Sequence, residues 1–61
     1  MLKEFTASVS NTPVHVNPDH VLCVLPEPND PENITIIILD VPGERVGVNG
    51  NHQEVAKKLS S

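Results

Sequence analysis

The chain has 61 residues, enough for one domain and one small core, and a fold of this size hides only about 60% of the surface its unfolded chain exposes. Apolar residues make up 38%, much of it Val, Ile and Leu, and Phe5 is the only aromatic, so the core must be built from aliphatic side chains that suit pleated sheets. Eight acidic against four basic residues leave a net charge of -4, which speaks against phosphate backbones and anionic membranes, because both need clustered Lys and Arg.

Residues 3–9 alternate, with Phe5, Ala7 and Val9 on one face and Glu4, Thr6 and Ser8 on the other. That period of two predicts a half-buried strand. A turn cluster follows at Ser10-Asn11-Thr12-Pro13, and Val14 and Val16 resume the alternation with His15 on the outer side, which reads as a hairpin. Asn17-Pro18-Asp19-His20 fits a type I turn: Asn suits the first position, Pro fixes φ at the second, and Asp is tolerated at the third. The next strand is expected from Val21 to Leu25, where Leu22 and Val24 are apolar as well as Val21, Cys23 and Leu25. Cys23 is the only cysteine, which excludes an intrachain disulfide, and its alternation with Val21 and Leu25 predicts a buried, reduced, slowly reacting thiol.

Residues 26–33 hold Pro26, Pro28 and Pro31 with Glu27, Asp30 and Glu32 between them, an exposed proline-rich acidic loop. Ile34 to Leu39 is the strongest strand, with Ile34, Ile36 and Ile38 on one face and Thr35, Ile37 and Leu39 on the other. Val41-Pro42-Gly43-Glu44 has the composition of a type II turn, and Val46 and Val48 continue the alternation in a last strand. Gly50 ends it. Asn51 is a suitable helix N-cap, with Glu54 three residues on as in a capping box. His52, Val55, Ala56 and Leu59 then share one helical face, and Lys57 and Lys58 stand where a helix C-terminus favours cations. A helix of about two turns does not persist alone in water, so it must be docked.

The predicted fold is mainly β within the α+β class: a single domain over 1–61, built as a curled antiparallel meander of about five strands, open to partial closure into a barrel, with one short C-terminal helix over the sheet. Two strands are apolar on both faces, and the helix offers only Val55, Ala56 and Leu59. Ile37, Leu39, Leu22 and Val24 are therefore expected to lie uncovered, each forgoing roughly 1.5–3 kcal/mol relative to burial. This predicts a homo-oligomer, a dimer joined through sheet surface with Ile37 and Leu39 as contacts; full closure into a small barrel is the competing arrangement.

No catalytic, cofactor or metal site is expected. Asn17, Asp19, His20 and Cys23 are close in sequence, but strand side chains three apart point to opposite faces, so nothing sets His20 beside Cys23 as its base. His15, Asp19, His20 and His52 lack the tight paired spacing of zinc sites. Glu27, Asp30 and Glu32 lack the spacing and the glycine of a calcium loop, and are read instead as solvated, or as a docking loop for a basic protein partner. Gly43, Gly47 and Gly50 form no phosphate loop, and base-stacking aromatics are missing. The N-terminus shows no apolar stretch of signal-peptide length, and the longest apolar run, Ile36 to Leu39, is far too short to cross a bilayer. The expected setting is the cytoplasm, away from membranes.

Residues 14–59 resemble the small flagellar FlbD-like family. The likeness lies in Val14-His15-Val16-Asn17-Pro18-Asp19-His20-Val21, Thr35-Ile36-Ile37-Ile38-Leu39, Gly43-Glu44-Arg45-Val46-Gly47-Val48 and Glu54-Val55-Ala56-Lys57-Lys58-Leu59. The chain departs from the family in its longer acidic loop and its Gly50-Asn51 entry to the helix. The resemblance implies a small bacterial accessory protein. The length, the opening Met1-Leu2 and Arg45-Val46-Gly47-Val48 are also similar to the carbon storage regulator family of RNA-binding dimers. That family needs a basic edge, where this chain has Lys3-Glu4-Phe5-Thr6. The sequence thus favours a non-enzymatic structural or protein-interaction module, with a nucleic-acid-binding regulator as the alternative.

Overall fold

The computed structural model describes residues 1–61. Five strands come first: β1 (Lys3–Thr6), β2 (Pro13–Val16), β3 (Val21–Pro26), β4 (Ile34–Leu39) and β5 (Arg45–Asn49). A 3-10 turn at Pro18–His20 lies between β2 and β3, and helix α1 (His52–Ser60) closes the chain. All pairing is antiparallel, in a two-stranded sheet β1-β2 and a three-stranded meander β3-β4-β5. No barrel closes. The end of β1 instead joins the edge of β5 through the bridge Ala7–Val48 and the bond from Ser8 N–H to the Gly47 carbonyl, 2.9 Å.

The turns form for the reasons their residues suggest. In Asn17–His20 the Asn17 side chain accepts from the Asp19 N–H at 3.0 Å while its carbonyl accepts from His20. Gly43 takes φ +83 and the Glu44 N–H closes on the Val41 carbonyl, the type II geometry that only a residue tolerant of positive φ adopts easily. The first strand stops earlier than its alternation implies. Asn11 takes φ +57, the Ala7 N–H bonds the Thr12 carbonyl and the Asn11 N–H bonds Ala7, so Val9 sits at the tip of a loop, 98% exposed. The acidic loop is internally bonded, with Asp30 N–H to the Glu27 carbonyl and Ile34 N–H to the Asp30 carbonyl forming two successive turns.

The core is Phe5, Val16, Ile37, Val48 and Val55, with Val14, Val21, Val24, Leu39, Val46 and Leu59 packed around it. One face of β3-β4-β5 therefore lies under the helix and against the β1-β2 hairpin. Thr35 is fully buried on this face, and its hydroxyl donates to the Gly50 carbonyl at 2.9 Å. The carbonyl of Asn33, the residue before β4, accepts from the Gly50 N–H, so both Gly50 backbone groups are held at the hinge into α1. Asn51 caps the helix by accepting from the Gln53 N–H at 2.8 Å. At the other end Lys58 lies over the Phe5 ring, 4.7 Å from its centre, and donates to the Glu4 carbonyl. One of the two adjacent lysines thus fastens the helix to β1.

Candidate functional site

The outer face of β3-β4-β5 is the surface that the chain's own elements leave open. Register fixes what it presents. Cys23 pairs with Ile38, which pairs with Arg45; Leu25 pairs with Ile36, which pairs with Gly47. Ile34 pairs with Asn49, and the Glu27 N–H bonds the Ile34 carbonyl, placing Glu27 at the end of the third row. The rows Cys23-Ile38-Arg45, Leu25-Ile36-Gly47 and Glu27-Ile34-Asn49 make a grid, apolar through its middle and charged at two opposite corners. Leu22 and Leu25 are 67% and 44% exposed, and Ile34, Ile36 and Ile38 are half-buried only by their strand neighbours.

The corner charges are held differently. Arg45, the chain's only arginine, is exposed and has no ion-pair or hydrogen-bond partner. Glu27 is half-buried, and one carboxylate oxygen accepts from the Asn29 N–H at 2.7 Å, leaving the other free. At Gly47 the Ser8 side chain closes over the sheet: its hydroxyl donates to the Gly47 carbonyl at 3.2 Å and stands 3.0 Å from where a Cβ would lie, so the missing side chain leaves no open space.

Several expected site residues lie elsewhere. Ile37 has no exposed surface and so cannot touch a partner, and Leu39 is half-buried on the same inner side, against the core; the open outer face belongs to Ile34, Ile36 and Ile38. The physical reason is Thr35. A hydroxyl reads as outward-facing, yet here it turns inward to satisfy the Gly50 carbonyl, and Ile37 and Leu39 go in with it. Val24 is likewise inside, half-buried. The register across the Val41–Glu44 turn held the missing signal, since it pairs Ile37 with Val46 and leaves polar Arg45 and Asn49 to mark the outer side.

Cys23 is exposed, contrary to the buried thiol expected from its alternation with Val21. A bulge shifts the register between Val21 and Cys23, which returns Val24 to the core and turns Cys23 and Leu25 outward. Of the loop acids, Glu27 and Asp30 are engaged inside the loop, Asp30 accepting from the Asn33 side chain at 3.0 Å, while Glu32 is exposed.

His20 finds a partner at the opposite end of the β3-β4 ladder: its Nδ1 lies 3.0 Å from an Asp40 carboxylate oxygen, both side chains solvent-exposed. The Asp40 hydrogen bond and then its charge hold the imidazole pKa above the ordinary 6.5, with Asp19 adding to the effect. No group of three His, Cys, Asp or Glu side chains is arranged to hold a metal ion. No helix is long and apolar enough to cross a membrane. No protein-family model, curated protein or solved structure matches the chain.

Proposed function

We propose that the chain is a non-enzymatic protein-interaction module of the cytoplasm that works as a homodimer. The observation that carries this reading is the open outer face, where side chains from β3 and β4 form an apolar surface flanked by Arg45 and Asn49 of β5, with no element of the chain over it. Central apolar area with a polar rim is the general form of a protein contact. The acidic loop supports a smaller part in the reading than its composition suggests, because Glu27 and Asp30 each give one carboxylate oxygen to the loop's own turns and only Glu32 makes no such bond. The FlbD-like resemblance fits a small bacterial accessory protein and adds no chemistry of its own.

Two measurements test this reading against a nucleic-acid-binding regulator. Light scattering at micromolar to millimolar protein is expected to give a mass approaching twice 6.6 kDa as concentration rises. Titration with bulk RNA and DNA at low salt is expected to show no binding, whereas salt-sensitive binding would favour the regulator.

A further inference from the structure

We propose that a second copy of the chain seats on the outer face of β3-β4-β5, the two sheets crossing steeply about a twofold axis that runs along the diagonal from Cys23 through Ile36 to Asn49. This rests on the interaction reading above and fixes the partner, the face and the orientation.

The face is the part of an acidic molecule where two copies meet without opposing like charges. The acidic residues Glu4, Asp19, Asp30, Glu32, Asp40, Glu44 and Glu54 stand outside the grid, and its own two charges, Arg45 and Glu27, cancel. A foreign basic partner would gain nothing from a face of zero net charge, but a second copy does, because the two charges occupy opposite corners. Strands about 4.8 Å apart and about 3.3 Å per residue make the grid on the order of 15 by 17 Å. Covering about 250 Å² on each of two copies removes on the order of 500 Å², well below the ~1,200 Å² of a standard specific contact, so the dimer is weak and concentration-dependent.

A twofold axis lying between two like faces has four simple placements on this grid. Along the strands it sets Arg45 over the partner's Cys23, a cation on an apolar corner. Across the strands it sets the carboxylate of Glu27 over the partner's Cys23. Along the Arg45–Glu27 diagonal it opposes each charge to its own copy. The remaining diagonal sets Arg45 over the partner's Glu27 twice, Ile38 over the partner's Leu25 twice, and Ile34 over the partner's Gly47 and the Ser8 side chain beside it twice. Ile36 and Cys23 then each meet their own copy on the axis. Steep crossing is one of the two ordinary orientations of packed sheets. Glu27 is pre-set for its role, since the loop already fixes one carboxylate oxygen.

The test is a charge exchange read by sedimentation equilibrium on the full chain. Arg45→Glu and Glu27→Arg are each expected to weaken dimerisation about tenfold, because two contacts turn repulsive at once. The double exchange is expected to restore it to within about threefold of the parent. Mild oxidation is expected to give a Cys23–Cys23 linked dimer, with two thiols losing one proton and one electron each to an added oxidant such as diamide. Circular dichroism of each variant checks that the sheet persists. A parent that dimerises while the double exchange stays weak and no disulfide forms overturns the orientation and leaves the interaction reading standing. A parent that stays at 6.6 kDa overturns both.

Discussion

The two faces of β4 are built from nearly the same residues and meet opposite fates. Thr35 and Ile37 are fully buried under the helix and the hairpin, while Ile34, Ile36 and Ile38 face outward with only their strand neighbours beside them. Apolarity does not separate the two sets; the outer one is the more apolar. What separates them is backbone satisfaction. Thr35 supplies the hydroxyl that the Gly50 carbonyl needs at the hinge into α1, and its face becomes the inner one. A strand apolar on both sides thus states that both faces are to be covered, and a polar contact decides which one the chain covers itself.

The sharpest way to break the comparison is to charge one face and then the other. Ile37→Lys buries an ammonium in a core of five residues and is expected to abolish folding, seen as loss of the sheet signal in circular dichroism. Ile37→Ala, milder, is expected to cost about 2–5 kcal/mol in a denaturant titration. Ile36→Lys, one residue away, is expected to leave a folded monomer with little change in the denaturation midpoint measured on dilute protein. If both lysine variants unfold alike, the faces are equivalent and the comparison fails.

Thr35→Val keeps the shape of the inner face and removes only the hydroxyl. It leaves the Gly50 carbonyl without that donor, and a loss of about 1–3 kcal/mol in denaturant midpoint is expected. No loss would mean that the hydroxyl is not what sets the face. Asn51→Ala removes the cap bond to Gln53 and is expected to cost about 1 kcal/mol, a check that the helix over the inner face matters to the sheet beneath it.

Much of this fold is legible in the sequence. The Asn17–His20 and Val41–Glu44 turns, the limits of β4 and the Asn51 cap follow from local chemistry, and each is where its residues place it. The open face is legible only in part, because it depends on non-local facts. The bulge between Val21 and Cys23 adds one residue to β3 and reverses which side its thiol takes, and no local pattern marks it. The inward turn of Thr35 depends on Gly50, fifteen residues away. The His20–Asp40 pair likewise comes from the β3-β4 register and not from any spacing along the chain.

The smallest effect belongs to that pair. The imidazole is more basic in the folded chain than unfolded, so its contribution to stability is complete below the ordinary value of 6.5 and fades as pH rises through the raised one. With both groups in water the change in midpoint is expected to be slight. His20 ring protons followed by NMR are expected to titrate above the ordinary imidazole value of 6.5, and Asp40→Asn is expected to bring the transition down.

The most direct test of a self-covered inner face and a copy-covered outer one is the rate at which Cys23 alkylates in the folded parent chain at increasing protein concentration. The thiol lies on the open grid of the single chain and on the axis of the dimer. Labelling is expected to be fast in dilute solution and to slow progressively as the protein is concentrated. A rate that does not change with concentration, whether fast or slow, would contradict a second copy on that face.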